Sequence, residues 1–380
     1  MTARLTEMGR NLLGGLAVAL LLCCLAGAAA PAAQAQQAQG QTQGQDVSDQ
    51  ALTGGQVPGG ALGSSSRAEF WREVRRGIQG DVSIPNKQAG VLVESGGESW
   101  REFRNGPLKT YGAWVVLGMV ALLALFFVLR GRIRIEAGPS GRTIQRFDDV
   151  DRFAHWLTAV SFVMLALTGM WLLWGRNVLI PVIGPEAYAL IAHWGKYAHN
   201  FLAFSFIVGF VLMFALWVGD NIPNRHDVMW LLKAGGLFSK HVHPHSRKFN
   251  AGQKIIFWAV MVGGISLALS GIGLLFPFET AMWGKTFHVL SGLGVPGLPA
   301  DVTPRLEMQL NTVWHAAVGL VMIAIILAHI YIGSVGMEGA FAAMGSGRVD
   351  ENWAREHHDL WVAEVEQKSV EQAGRPLPAE

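Results

Sequence analysis

Cysteine is almost absent from this chain: its 380 residues hold two, Cys23 and Cys24, side by side. An adjacent pair builds no disulfide framework, no CxxC zinc site and no cysteine-ligated iron–sulfur cluster. The CxxCH motif for covalent haem attachment is missing too, so any redox group must be held without cysteine. Charge is scarce: Asp, Glu, Lys and Arg make up 15% of the residues, against roughly 25% in an ordinary soluble domain. The formal net charge of +2 offers no electrostatic footprint for nucleic acid, and no such partner is expected. What is present is apolar sequence, 51% of the chain with a mean hydropathy of +0.30. That balance excludes a soluble enzyme of this size and a disordered protein, and it fits a polytopic membrane protein in contact with lipid. Tryptophan is abundant at 14 residues. Trp114, Trp156, Trp174, Trp217, Trp258 and Trp314 lie near the ends of apolar runs, as in interfacial aromatic belts.

The N-terminus has the layout of a secretory signal. Arg4 and Arg10 precede an apolar run from Leu12 to Leu25, and Ala33-Gln34-Ala35 makes an A-x-A-like cleavage site. Residues 1–35 are therefore expected to be a signal peptide, with both cysteines lost on cleavage; the alternative is an uncleaved first span. Residues 36–66 are rich in Gln, Gly, Ala and Ser and cannot bury enough apolar surface to offset ordering entropy, so disorder is expected. Residues 67–111 bring back Trp71, Ile78, Val82, Ile84, Val91, Val93 and Trp100, a short periplasmic segment that needs a partner surface.

Five apolar spans follow, at Gly112–Leu129, Ala154–Gly175, Tyr197–Gly219, Ile255–Phe276 and Thr312–Gly333. Each holds 18 to 23 residues, enough for a hydrocarbon core of roughly 30 Å at about 1.5 Å per residue. In lipid such segments must be helices. Six Lys or Arg lie in 130–153 and six in 220–254, while the two alternate loops hold two each. This bias puts the loop 130–153 and the tail 334–380 in the cytoplasm. The expected localisation is a bacterial inner membrane, with the segment before the first span periplasmic.

Twelve histidines are present, and four sit at or within the spans: His155, His199, His315 and His329. Ionisable groups at membrane depth are costly and are functional candidates by default. His155 and His329 lie toward the cytoplasmic edge, His199 and His315 toward the outer edge. His315 and His329 are 14 residues apart, about 21 Å of rise and within about 40° of the same helix face. One helix thus offers one ligand to each of two sites stacked across the membrane. Neutral imidazole is a haem-iron ligand, and iron removes the cost of an unpaired buried ring. Ala154, Ala198, Ala203, Ala316, Ala317, Gly319 and Ala328 would make room for a porphyrin, though small residues also serve plain helix packing. His193 is an alternative to His199. His288, His357 and His358 read as solvent-facing or interfacial, and the cluster His241, His243, His245 lies in a polar loop.

From about Arg146 onward the chain resembles the gamma subunit of respiratory formate dehydrogenase, a membrane cytochrome b. The stretches that carry the likeness are RFDDVDRFAHW (146–156), YAHNF (197–201), NRHDVMW (224–230), FNAGQKIIFW (249–258), WHA (314–316) and AHIY (328–331). The resemblance spans about three-fifths of the chain. It implies an all-α membrane protein: a four-helix haem-binding bundle over 154–333, here with one additional N-terminal transmembrane helix at 112–129. It implies two haems b, the outer held by His199 and His315 and the inner by His155 and His329, the same pairs that depth suggests. It also implies a quinone pocket formed with Asn250, Gly252 and Gln253. A catalytic alpha subunit and an iron–sulfur beta subunit would be the partners. This chain has no residues for a molybdenum or tungsten cofactor, so formate oxidation itself would lie elsewhere and the chain would serve a formate:quinone oxidoreductase as its electron-transfer subunit. The same electron path in a hydrogenase or thiosulfate reductase is the alternative. A haem-free anchor or a metal transporter is a further one, disfavoured because the five spans contain no Asp or Glu.

Overall fold

The computed structural model describes residues 80–81, 91–93, 96–239, 241–277, 279–299 and 301–373. The expected signal peptide and the Gln-rich segment lie outside the described residues. Strands β1 (Gly80–Asp81) and β2 (Val91–Val93) pair antiparallel. Helix α1 (Gly96–Phe103) then runs through a π-helical turn at Arg104–Leu108 into α2 (Lys109–Arg130). The first membrane helix thus extends from Gly97 to Arg130, 34 residues, and begins well before the expected start at Gly112. At about 1.5 Å per residue it outruns the hydrocarbon by several turns.

Beyond it come β3 (Thr143–Gln145), α3 (Asp149–Val178), α4 (Ile180–Trp217), α5 (Arg225–Leu232), α6 (Ala251–Leu275), α7 (Met282–Gly292) and α8 (Pro304–Tyr331). Among the described residues, five helices are long and apolar enough to cross a membrane, and each overlaps one of the expected spans. The protein is a predominantly helical integral membrane bundle.

Capping sets where these helices begin. The Asp148 carboxylate accepts from the backbone N–H groups of Val150 and Asp151, and Asp151 returns a bond to the Asp148 N–H. Asn224 with Asp227 and Asn250 with Gln253 make the same reciprocal box at α5 and α6. Each box satisfies backbone donors that a helix start leaves orphaned. Helix α4 is broken at Gly184, where φ is +80° ahead of Pro185, a conformation glycine adopts without strain.

Helix α3 packs chiefly against α4, and α6 against α8. Phe162, Phe206, Phe210, Met213, Phe257, Val260, Met261 and Met322 fill the space between them. The extra helix α2 lies outside this bundle on α8, with Gly112 facing Leu320 and Trp174.

A small cap closes one end of the bundle. After α8 come a π-helical turn at Ile332–Gly336, α9 (Ala342–Gly345), β4 (Arg348–Asp350), α10 (Glu351–His357) and α11 (Asp359–Ala373). Strand β4 pairs antiparallel with β3, Ile144 opposite Val349. The Asp350 carboxylate accepts from the Ser140 N–H at 2.8 Å, and the Glu356 carboxylate accepts from the Glu136 and Ala137 N–H groups. The segments read as a loop and a tail therefore fold together, and Val349, Trp353, Trp361 and Val362 are buried in the bundle's own core cluster. His358 is fully buried, which corrects the expectation that it is solvent-facing or interfacial, while His357 is half-buried. The burial of His358 comes from a strand pairing across some 200 residues of sequence, which no local pattern announces.

Candidate functional site

The four span histidines form two pairs. His155 on α3 and His329 on α8 face each other with ring centroids 6.2 Å apart and planes inclined at 59°. His199 on α4 and His315 on α8 have centroids 6.1 Å apart and planes at 68°. Two metal–imidazole bonds of about 2 Å, plus roughly 1 Å from each nitrogen to its ring centre, place the centroids of a bis-imidazole complex about 6 Å apart. The spacing of both pairs fits an iron ion between the rings.

Each pair has its own surroundings. The Nδ1 atom of His155 is buried with no hydrogen-bond partner, and the ring lies against Trp156 and Trp217. Trp217 is itself held by its indole N–H, which donates to the Asp151 carboxylate at 2.8 Å. At the other pair, His199 Nδ1 lies 2.9 Å from the Thr168 hydroxyl and His315 Nδ1 lies 2.9 Å from the Ser270 hydroxyl. Gly169 and Gly271 leave room for these rings: a Cβ there would fall 3.4 Å from His199 Cε1 and 3.3 Å from His315 Cε1. The orphaned imidazole nitrogen, the glycine cradles and the all-histidine donor set suit non-covalent haem.

Asn250, Gly252 and Gln253 stand in the first turn of α6. The Asn250 side-chain oxygen accepts from the Gln253 N–H and the Gln253 oxygen accepts from the Asn250 N–H, both at 3.0 Å. These bonds engage only the amide oxygens. At Gly252 a Cβ would come within 2.8 Å of the Trp230 ring, so glycine is what lets α5 pack here. Arg146, three residues before α3, donates to Gln253 Oε1 at 3.3 Å and to the Lys248 carbonyl at 2.5 Å. This contact puts the α6 start at the same end of the bundle as His155 and His329.

Arg146 was legible only as a loop charge. In the fold its guanidinium is fully buried, its Nε and Nη1 have no partner, and it lies over the rings of Phe147, Trp353 and Trp361. Burial holds its pKa down to about 9. His193 is exposed on α4, stacked edge-on against Trp194 and Tyr197. His288 is exposed. His241 and His243 both contact the Glu136 carboxylate, yet among the described residues no group of three or more His, Cys, Asp or Glu is arranged to hold a metal ion.

A helical integral membrane protein with two half-buried imidazole pairs, one helix contributing to both, has the donor set of a membrane cytochrome. The family described as prokaryotic cytochrome b561 matches residues 146–347, and the chain belongs to that family. Cytochromes of this class hold haem b. The chain is 27% identical to the cytochrome b556(Fdn) subunit of the nitrate-inducible formate dehydrogenase of Escherichia coli K12, over 59% of this chain and 93% of the relative. It is 27% identical to the cytochrome b556(fdo) subunit of a formate dehydrogenase of the same strain, over 61% of this chain and 97% of the relative. It is 26% identical to the formate dehydrogenase cytochrome b556 subunit of Haemophilus influenzae, over 61% of this chain and 87% of the relative. These matches agree with the resemblance carried by the sequence motifs. Residues before Arg146, including α2, lie outside the family match.

Proposed function

We propose that this chain is the membrane-anchoring di-haem cytochrome b subunit of a formate dehydrogenase, passing electrons from a periplasmic iron–sulfur subunit across the membrane to quinone. The observation that carries this reading is the pair of imidazole pairs sharing α8, with centroid spacings of 6.1 and 6.2 Å. The relatives' names supply the partner enzyme.

His199 and His315 would hold the outer haem b, and His155 and His329 the inner one. When bound, haem supplies a one-electron carrier at each site. Phe162, Phe206 and Phe210 pack in the apolar core between the helices. Asn250, Gly252 and Gln253 would bind quinone, the two side-chain NH2 groups being free to donate to a quinone oxygen. Arg146 keeps a positive charge beside Gln253. The catalytic alpha subunit and the iron–sulfur beta subunit would dock on the outer side, where α1 and the first turns of α2 project. The Lys and Arg bias puts the cap and the C-terminus in the cytoplasm of a bacterial inner membrane. Moving a charge inward against the potential stores about 2.3 kcal/mol per 100 mV.

The test is a reduced-minus-oxidised optical spectrum with pyridine haemochrome quantitation on the purified chain and on His315→Ala and His329→Ala. Two b haems per chain, with one lost in each variant, is the expected result. A monodisperse wild-type protein without haem overturns the proposal.

A further inference from the structure

The outer pair is built by a repeated element. Leu165–Met170 on α3 reads Leu-Ala-Leu-Thr-Gly-Met, and Leu267–Ile272 on α6 reads Leu-Ala-Leu-Ser-Gly-Ile. The hydroxyl residue of each copy meets one histidine of the outer pair, and the glycine after it leaves room for that ring. Two different helices thus present the same device to His199 and His315.

The hydroxyls have one proton each, and each has a carbonyl of its own helix within reach. Thr168 donates to the Met164 carbonyl at 2.7 Å, with the Leu165 carbonyl at 3.1 Å. Ser270 donates to the Ser266 carbonyl at 2.7 Å, with the Leu267 carbonyl at 3.3 Å. A hydroxyl whose proton goes to its own helix can only accept from a second partner. With the hydroxyl proton on the carbonyl, each 2.9 Å contact is imidazole Nδ1–H donating to Oγ, which would leave Nε2 unprotonated and able to bind a metal. At the other end His155 lacks this support: its Nδ1 is buried without a partner.

We propose that Thr168 and Ser270 are positioning residues that fix the tautomer of His199 and His315 and lower the reduction potential of the outer haem. The physical reason is that an imidazole donating from its remote nitrogen becomes a more basic ligand, and a more basic ligand stabilises the oxidised metal. Both outer ligands receive this support while His155 does not. The resulting bias favours electron transfer from the outer pair to the inner one. The inference rests on the cytochrome reading above.

The experiment is a potentiometric titration of the haems, followed optically, on the full-length chain in detergent. Thr168→Val keeps the methyl and removes the hydroxyl; Thr168→Ser does the reverse. Ser270→Ala and Ser270→Thr, with the Thr168→Val/Ser270→Ala double variant, complete the set. The expected result is two haems per chain throughout, an upward shift of the outer midpoint in Thr168→Val and Ser270→Ala, and a larger one in the double variant. Thr168→Ser and Ser270→Thr should titrate as wild type, and the inner midpoint should stay put. Loss of the outer haem in Thr168→Val with retention in Thr168→Ser also supports the role of the hydroxyl. An unshifted outer midpoint in the double variant overturns the inference, as does a midpoint or a haem loss that follows the methyl rather than the hydroxyl. A wild-type chain with no haem is a different failure, that of the cytochrome reading itself.

Discussion

The guanidinium carbon of Arg146 lies 5.1 Å from the centre of the Trp353 indole, joining the residue that precedes the bundle to the helix α10 that follows it. Phe147 and Trp361 carry the same cation at 5.4 and 5.6 Å. A buried cation without a carboxylate is expensive, and the aromatic faces together with the Lys248 carbonyl offset part of that cost. The positive charge also bears on the two histidines beside it. His358 is held well below its usual pKa by burial and then by Arg146. His357 is pushed down to about 4 by burial, then by His243 and Arg146, with Glu136 opposing.

Acid should therefore release the cap before it melts the bundle. In the unfolded chain both histidines protonate near pH 6.5, whereas in the fold His357 stays neutral down to about 4 and burial holds His358 well below its usual value. The unfolded state binds more protons between those limits, so stability falls as pH drops through that window and is fully present above it. Limited proteolysis of the C-terminal segment between pH 7 and pH 4.5 should show cleavage near α10 and α11 rising on acidification. Replacing His358 with Phe should flatten that dependence. Unchanged protection down to pH 4.5 would contradict the assignment.

Gly209 sets the approach of α3 and α4. A Cβ there would collide with the Thr158 hydroxyl and lie 2.9 Å from the Thr158 backbone nitrogen and 3.1 Å from its Cα, so main chain as well as side chain must yield. Gly209→Ala should destabilise the bundle by about 1–3 kcal/mol through overpacking, read as a lower thermal midpoint in detergent. Because His155 and His199 ride on these two helices, haem content should fall as well. A variant with wild-type melting and wild-type haem would show that the helices separate at no cost.

The start of α6 lets capping and quinone binding be told apart. Asn250→Ser keeps an N-cap acceptor and should cost only a few tenths of a kcal/mol, while Asn250→Ala should cost about 1 kcal/mol. Both remove the side-chain NH2 that the quinone reading uses. Quinone-analogue affinity, measured by fluorescence quenching, should fall in both variants by a similar factor of roughly ten, in line with about 1–1.5 kcal/mol for one hydrogen bond. Affinity that follows stability, lost in Ala and kept in Ser, would leave Asn250 with the cap alone.

Much of the membrane architecture was readable from local pattern. Apolar runs of 18 to 23 residues have only one solution in lipid, and the 14-residue spacing of His315 and His329 puts two histidines on one face by helix geometry alone. The repeat around Thr168 and Ser270 was present in the sequence as well; comparing Leu165–Met170 with Leu267–Ile272 would have found it, although not what its hydroxyls touch.

What the tertiary structure decided depends on contacts between distant segments. Depth in the membrane already suggests the partnering of His155 with His329 and of His199 with His315, but periodicity does not say which helix lies against which, so the ring-to-ring spacings of 6.2 and 6.1 Å came only with the bundle. The cap is the clearer case. Thr143–Gln145 and Arg348–Asp350 are short strands with mixed burial, and neither alone buries enough surface to predict its order. Only their pairing encloses Arg146, Trp353 and His358. Local propensity acts over a few residues, while burial of a charge or an imidazole is a property of everything packed around it, and that is why a loop, a tail and the surface-looking His358 proved to be one folded unit.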